Sequence, residues 1–269
     1  TSSFRRAYEA SPSDVQPMLA LVRSYLRAGK TREALSFVDS VVQASPDNNE
    51  ARLLQGQLEA LSGSKEKGAS IFQKMIETDP KNPEGYLQLA NLMLYDKRLA
   101  DADKAVSEGL AAIPNDFALR ATKAAILVYQ GKFDEAIALY EGLLKDRPGA
   151  DVVVNNLASL LSENRQDKES LKRAYELASR LKDSDLPMFK DTVGWASYKV
   201  GKYQEAAPFL EAAVNQRPDM ALLRYHAGMN QLALGNKDAA RKELQKSLEL
   251  AQNQPFSRKE EATKALQGL

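Results

Sequence analysis

The chain has 269 residues, and 37 lysines and arginines stand against 36 aspartates and glutamates, which leaves a net charge of +1. This balance gives no indication of a nucleic-acid partner. The absence of cysteine excludes thiol chemistry and cysteine metal sites. No apolar run approaches the roughly 18 residues that a membrane-spanning helix needs.

Prolines recur along the chain at one regular interval. Five of them keep this spacing, and a sixth follows two periods later with two residues to spare: Pro12, Pro46, Pro80, Pro114, Pro148 and Pro218. Proline ends a helix because it lacks the N–H and disfavours helix in the residue before it. The interval matches the length of one helix–turn–helix unit, about 34 residues, so the spacing predicts an array of stacked helical hairpins.

Small residues recur in phase with the prolines. If each unit begins three residues after its proline, position 15 is glycine in most units: Gly29, Gly63, Gly131, Gly201 and Gly235. This is the turn between two helices, where a residue that tolerates positive φ is needed. Positions 8 and 20 are also small, for example Gly56 with Gly68 and Ala90 with Ala102. They predict that the two helices of each unit cross closely.

The segments 129–136 (YQGKFDEA) and 200–206 (VGKYQEA) carry the same pattern around the turn. With the proline and small-residue positions, they make the chain resemble the tetratricopeptide repeat (TPR) family from about Val15 to Gln254. The resemblance implies an all-α fold, a right-handed superhelical solenoid of helix–turn–helix repeats. We place seven units in residues 15–254, beginning at Val15, Asn49, Pro83, Phe117, Asp151, Pro187 and Ala221.

The fifth unit and the two ends depart from the pattern. The fifth unit has 36 residues and Arg165 in place of the turn glycine, and we place its extra residues in the turn near Arg165–Ser170. Residues 1–14 match the second helix of a truncated repeat, so Thr1 is interpreted as a cut end of a longer array. Residues 255–269 are polar and amphipathic, and we expect them to form a C-terminal capping helix.

Catalysis finds little support in the sequence. His226 is the single histidine, and a lone histidine on a helical array is usually a packing or groove residue. Carboxylate pairs such as Glu260 with Glu261 are expected on solvated helix faces. Phosphate-cradling glycine loops and clusters with metal-ligand spacing are not found. We therefore predict a protein that is not an enzyme and has no metal and no cofactor.

In the resembled family the first helix of each unit lines the concave face, so its positions 2, 5, 6, 9, 12 and 13 are expected to project into a groove. We expect a protein or an extended peptide to bind there. The predicted partner-binding residues are Gln88, Asn91, Tyr95, Tyr129, Asn155, Asn156, Asp191, Trp195, Tyr198, Tyr225 and His226.

Two kinds of side chain support this choice. Amides such as Asn156 donate and accept at once, and can therefore pair with any peptide backbone. The alternative is that Asn155 and Asn156 only pack between units. Aromatic residues with polar tips, such as Trp195 and Tyr198, are typical of binding hot spots. The alternative for Trp195 is a core position between repeats.

A narrower resemblance concerns residues 155–161 (NNLASLL) and 191–195 (DTVGW). They are similar to segments of bacterial multi-TPR lipoproteins of the envelope and of exopolysaccharide systems, including PEP-CTERM-associated ones. This implies a scaffold that is periplasmic or associated with the outer membrane; a cytoplasmic location is the alternative. The alternative functions are a glycan-binding groove, in which exposed Trp195 and Tyr198 would stack on sugars, and an array that associates with itself.

Overall fold

The computed structural model describes residues 2–11 and 14–269. Thr1 and Pro12, which the sequence analysis interprets as a cut end and as a repeat proline, lie outside the described residues. The described residues form α-helices and one short 3-10 helix, with no strand among them. The predicted all-α fold is confirmed.

The chain divides into two compact units after Gln130, each made of several repeats, and we call them the first unit and the second unit. The first unit contains α1 (Ser2–Ala10), α2 (Val15–Arg27), α3 (Thr31–Ala44), α4 (Asn49–Leu61), α5 (Lys65–Thr78), α6 (Pro83–Tyr95), α7 (Leu99–Ala112) and α8 (Phe117–Tyr129). The second contains α9 (Phe133–Asp146), α10 (Asp151–Asn164), α11 (Lys168–Ala178), a 3-10 helix (Ser179–Leu181), α12 (Pro187–Lys199), α13 (Tyr203–Gln216), α14 (Ala221–Ala233), α15 (Lys237–Leu250) and α16 (Lys259–Gln267).

Three-residue turns connect the helices within a hairpin. The predicted glycines occupy the middle of these turns with φ between 70° and 97°, as at Gly29 with φ 70°. Such values suit glycine because it has no Cβ, and this prediction is confirmed. The turn between α6 and α7 uses Lys97 instead, and Lys97 adopts a φ of 59°. Several first helices start at a capping side chain; the Asn48 carboxamide, for example, accepts a hydrogen bond from the Ala51 N–H at 2.9 Å.

Close helix crossings explain the recurring small residues. A Cβ added to Gly68 on α5 would lie 2.8 Å from the carbonyl oxygen of Gly56 on α4. Alanines at the position of Gly68 in other repeats, such as Ala34 and Ala206, are completely buried. A larger side chain would therefore push the two helices apart, as the sequence analysis predicts.

The fifth hairpin corrects one expectation. The turn between α10 and α11 has three residues, 165–167, like the other turns, so the extra residues do not lengthen it. One of them lengthens α10, which has 14 residues where the other first helices have 13, and the other lies in the connection to α12, where residues 182–186 make five against the four of residues 217–220. The second helix is not longer, because α11 and the 3-10 helix together have 14 residues, as α3 does. The Asp167 carboxylate stabilises the start of α11 by accepting a hydrogen bond from the Ser170 N–H at 2.8 Å.

Each unit has its own apolar core between successive helices. In the first unit the core includes Leu21, Phe72 and Ile126, and the ring of Tyr8 on α1 packs edge-on against Phe37 at 5.1 Å. In the second unit it includes Leu157 and Leu210. Across residues 2–11 and 14–269, no helix combines the length and the apolar character that a membrane span requires.

Candidate functional site

Large apolar side chains are exposed at the ends of three first helices of the first unit. Leu61, Tyr95 and Tyr129 stand one repeat period apart, at the last residues of α4, α6 and α8, and they are 64%, 77% and 72% exposed. We call these three residues the exposed ladder. Because α4 contacts α6 and α6 contacts α8, the ladder runs across neighbouring helices. Apolar surface left in water in this regular way is typical of an interaction site.

A cleft of about 410 Å³ lies between the first two residues of the ladder. Buried Phe72 and Leu92 contribute apolar surface to it, and Leu61 and Tyr95 are among its lining residues. The predicted residues Gln88 and Asn91 line it as well, together with Gln57. The structure therefore brings Gln88, Asn91 and Tyr95 together at one cleft.

The amide side chains of this cleft differ in whether they already form hydrogen bonds within the protein. The Gln57 side chain donates to Oε1 of Gln88 at 3.2 Å, and Gln88 in turn donates to Oε1 of Glu84 at 2.7 Å. Asn91 is exposed and makes no side-chain hydrogen bond to the residues that the structure describes. Its carboxamide therefore has both a donor and an acceptor available for a ligand backbone.

Lys65 positions the Tyr95 ring. Its Nζ lies 4.8 Å from the ring centroid and also forms an ion pair with Asp96. The hydrogen bond to Asp96 raises the pKa of the Lys65 ammonium. A fixed cation over one face orients the tyrosine and leaves its remaining surface to solvent.

A second cleft, of about 280 Å³, lies beside Tyr129 and is lined by Leu94, Lys97, Leu99 and Tyr129. Like the first cleft, it has a ladder tyrosine in its wall. The predicted residue Tyr129 is thus exposed as expected, one repeat away from Tyr95. The first unit presents two apolar clefts, each with its own ladder tyrosine.

Predicted residues on α10 in the second unit are engaged internally. Asn155 donates to Oδ1 of Asn156 at 3.3 Å, and Asn156 donates to the Tyr140 hydroxyl at 3.5 Å. Both asparagines are half-buried. Their amides serve contacts within the unit in this structure.

Four other predicted residues of the second unit are buried, which corrects the expectation that they project into an open groove. Trp195 is 5% exposed and His226 is 1% exposed, and Asp191 and Tyr225 are buried with them. Tyr198 is half-buried and stacks on Trp195 with ring centroids 4.6 Å apart. These aromatic rings pack against each other and against residues 256–269, so none of the four buried side chains is accessible to a partner in this arrangement.

His226 lies between two carboxylates. Its Nδ1 is 2.9 Å from Oδ1 of Asp191 on α12, and its Nε2 is 2.9 Å from Oε1 of Glu163 on α10. The second contact is an ion pair without hydrogen-bond alignment. Trp195 stacks on the imidazole at 4.0 Å with an interplanar angle of 13°. The carboxylates face opposite ring nitrogens, so they do not converge on one metal ion, and no metal-binding group occurs among the described residues.

Charge is concentrated at this histidine. Burial by itself lowers the pKa of His226, but Asp191 and Glu163 outweigh it and raise the pKa to about 9. Burial by itself raises the pKa of the Glu163 carboxyl, but His226 and Arg258 outweigh it and lower that pKa to about 2. His226 is therefore an imidazolium at neutral pH, held by two anions.

The C-terminal segment closes this cluster, a role that the predicted capping helix did not include. Nη2 of Arg258 donates to Oε2 of Glu163 at 2.8 Å, and the Tyr225 hydroxyl donates to Oε2 of Glu261 at 2.8 Å. A signal was available: residue 255 follows Ala221 by one repeat period, so the periodicity continues into this segment. A helix in that register packs on α15 as the first helix of a further repeat would, and it brings Phe256 against Tyr225 of α14.

Comparisons with known proteins agree with this repeat geometry. Over 156 residues the chain is 26% identical to anaphase-promoting complex subunit 7 of Arabidopsis thaliana. The aligned region covers 58% of this chain and 28% of that protein. The chain spans about a third or less of the length of the curated relatives it matches.

Solved structures show the same fold at low identity. A tetratricopeptide repeat protein from Parabacteroides merdae superposes with a TM-score of 0.60 at 13% identity, over 94% of this chain and 97% of that one. The protein YrrB, described as a TPR protein with an unusual peptide-binding site, gives 0.51 at 20% identity, over 73% and 99%. At these identities the likeness concerns the fold alone.

Family models cover most of the chain. One model described as tetratricopeptide repeat matches residues 19–83 and 122–185, and a second with the same description matches 64–126 and 198–256. The matched residues include the regular period, the glycine turns and the close hairpin crossings described above. The chain belongs to the tetratricopeptide repeat family.

Proposed function

We propose that this protein is a non-enzymatic scaffold whose first unit binds an extended peptide segment across α4, α6 and α8. TPR proteins serve as protein–protein interaction scaffolds. The observation that carries the proposal is the exposed ladder, whose three large apolar side chains lie one repeat apart beside two clefts.

The spacing of the ladder selects the conformation of the bound segment. Neighbouring packed helices lie about 8–10 Å apart. A polyproline II segment rises about 3.1 Å per residue and has three residues per turn, so its residues i and i+3 share one face about 9 Å apart. In a β-strand, residues i and i+3 point to opposite faces. The partner is therefore a polyproline II segment with an apolar side chain at every third residue.

Polar contacts fit the same segment. A polyproline II backbone makes no internal hydrogen bonds, so its carbonyl groups are free to accept from Asn91 and Gln57 at the first cleft. The tyrosines of the ladder offer amphipathic rings that bury area at low entropic cost. This division, rings for side chains and amides for the backbone, is suited to many sequences with the same spacing.

Burial of the aromatic residues in the second unit argues against the glycan-binding alternative. That alternative depends on exposed Trp195 and Tyr198 for stacking on sugars, and Trp195 is 5% exposed and Tyr198 half-buried. As the setting of the scaffold we propose a bacterial envelope assembly, in the periplasm or at the outer membrane. The similarity of residues 155–161 and 191–195 to envelope multi-TPR lipoproteins supports this setting, and fractionation of the source cells tests it.

Selection from a random displayed-peptide library tests the binding proposal. We expect selected peptides to carry apolar residues at i, i+3 and i+6, and to lose at least tenfold in affinity for the Tyr95→Ala and Asn91→Ala variants. Gln73→Ala, an exposed residue on the second helix α5, is the matched control and should bind as the wild type does. Peptides without this spacing, or equal binding to Tyr95→Ala, would contradict the proposal.

A further inference from the structure

The C-terminal segment, residues 255–269, packs on α15 through α16, and its leading residues Phe256 and Arg258 reach the first-helix face of the second unit, where the sequence predicts a groove. The Phe256 ring packs edge-on against Tyr225 at 5.8 Å. Ala262 of α16 is buried in the same cluster as Trp195. In this unit the face expected to receive a partner already has an occupant from the same chain.

Arg258 occupies a site built for a guanidinium. Its Nη2 donates to the carbonyl oxygen of Glu163 at 2.7 Å and to Oε2 of the same residue at 2.8 Å. Glu163 lies in the last turn of α10, where carbonyl groups have no partner within the helix and the helix dipole favours a cation. The site thus offers a carboxylate, a free carbonyl and a favourable field to one arginine.

The receptor side of this site is fixed without Arg258. The other carboxylate oxygen of Glu163 faces His226 at 2.9 Å, and His226 is held from behind by Asp191. All three side chains come from consecutive first helices, α10, α12 and α14, each of which contacts the next. Removal of the arginine would therefore leave an oriented carboxylate in place.

The occupant is held less firmly than the receptor. The helix α16 has nine residues and one fully buried side chain, Ala262, whereas α14 has seven buried residues. Ala265 and Leu266 of α16, and Phe256 ahead of it, are partly buried against the cluster. Polar contacts add to this packing: Arg258 also pairs with Glu261 at 2.8 Å, Glu261 accepts from Tyr225, and the Leu269 carbonyl accepts from Arg241 at 3.1 Å. Elements with few buried apolar contacts open locally at low cost in free energy.

We propose that residues 255–267 are a built-in, displaceable occupant of an arginine site on the second unit, and that a partner segment carrying arginine competes for this site. The partner is a helical segment with an acidic residue three positions after its arginine, because Arg258 and Glu261 have this spacing. The indole N–H of Trp195 is buried without an acceptor in the described part of the chain, so an incoming carbonyl would find a donor there. This inference is independent of the proposed peptide site in the first unit.

The full-length chain and its Arg258→Ala variant test the proposal. The probe is a synthetic, labelled peptide with the sequence of residues 254–267, and a second peptide has alanine in place of the arginine. The short connection after α15 keeps the internal segment at an effective concentration on the order of mM, so we expect the wild-type chain to bind the probe at least tenfold more weakly than Arg258→Ala. The alanine peptide should bind Arg258→Ala at least tenfold more weakly than the arginine peptide.

Trp195 supplies an independent readout, because it is the single tryptophan and lies under the segment. Acrylamide should quench its emission at least twofold more efficiently in Arg258→Ala than in the wild type. Arg217→Ala, which removes an exposed arginine of the same unit paired with Asp219, is the matched control and should change neither quenching nor binding.

Circular dichroism checks that the variants fold. If Arg258→Ala unfolds, Glu261→Gln replaces it as the test variant. This substitution weakens the contacts of Glu261 with Arg258 and Tyr225 but leaves Glu163 in place. It should bind the arginine peptide more tightly than the wild type does. Equal binding of the two peptides, or equal binding by wild type and variant, would overturn the proposal.

Discussion

The turn between α6 and α7 shows how single residues set local geometry. Five turns use glycine at positive φ, whereas Lys97 adopts a φ of 59° in the corresponding turn. A residue with a Cβ in the left-handed region costs about 1–2 kcal/mol. The fold tolerates this cost because the helices on both sides determine the path of the chain.

Replacement of Lys97 by glycine tests this strain. The free energy of unfolding should rise by roughly 0.5–1 kcal/mol, since the relief of strain exceeds the entropy that glycine loses on folding. Urea denaturation followed by circular dichroism measures the change. In the converse variant, Gly29→Ala, the added Cβ meets no atom within 4 Å, so its loss of about 1 kcal/mol would report the backbone alone. A less stable Lys97→Gly variant would contradict this account.

Close approach within a hairpin gives a second prediction for single residues. In Gly68→Ala the new Cβ would lie 2.8 Å from the backbone oxygen of Gly56, and the backbone has to move; we expect a loss of about 1–3 kcal/mol in unfolding free energy. In Gly228→Ala the new Cβ meets the Leu244 side chain at 2.8 Å, which can adjust, while the nearest backbone atom, the Leu244 nitrogen, lies farther away at 3.2 Å. Thermal denaturation should therefore show a larger loss for Gly68→Ala; equal losses would argue against a close backbone contact.

At the scale of elements, the helices α10, α12 and α14 bring Glu163, Asp191 and His226 into one cluster although the residues are far apart in sequence. The stacking of Trp195 on His226 makes this cluster observable. A protonated imidazole in contact with an indole ring quenches its fluorescence by accepting an electron. Trp195 emission therefore reports the charge of His226.

We expect Trp195 emission to be low at neutral pH and to rise as the pH is raised through about 9, the pKa of His226 in the folded protein. A fluorescence titration of the folded chain measures this rise, with far-ultraviolet circular dichroism to confirm that the helices persist. The His226→Gln variant should lack the rise, because glutamine does not titrate. A rise near pH 6.5, the ordinary value, would show that the two carboxylates do not hold the proton.

At the scale of the whole molecule, the two units present different surfaces. The first unit carries the exposed ladder and two clefts, whereas in the second unit residues 256–269 pack against Trp195 and Tyr225 of the first helices. The buried ion cluster also belongs to the second unit. The stability of the two units should accordingly depend on pH in different ways.

The sign follows from the raised pKa of His226. The cluster stabilises the second unit fully below the unfolded-state value near 6.5, and this contribution, at most about 3 kcal/mol, is lost as the pH rises through about 9. Urea midpoints reported by Trp195 should therefore fall between pH 6.5 and 9.5 more than midpoints reported by circular dichroism, which averages over both units. In His226→Gln the two probes should change in parallel with pH. Parallel changes in the wild type as well would contradict the assignment.

Much of the fold was open to prediction from the sequence. The regular proline period, the turn glycines and the paired small residues act locally, since each places a helix end or a hairpin crossing within one repeat. These features predicted an all-α TPR array, and that prediction is confirmed. The extra length of the fifth hairpin was wrongly assigned to the turn near residues 165–170, because the turn glycine is missing there; the turn keeps three residues, and Asp167 caps the start of α11.

The candidate sites divide in the same way. Sequence position alone predicted Asn91, Tyr95 and Tyr129 as groove residues, and the structure exposes all three, because repeated first-helix positions face outward wherever nothing covers them. Burial of Trp195 and packing of His226 were alternatives that sequence position could not decide, and the burial of Tyr225 was not predicted. That outcome depends on contacts between distant parts of the chain, such as the packing of residues 256–269 against the cluster of Trp195 and Tyr225. Periodicity determines the path of the helices within a repeat, and only the tertiary structure decides which faces the chain itself covers.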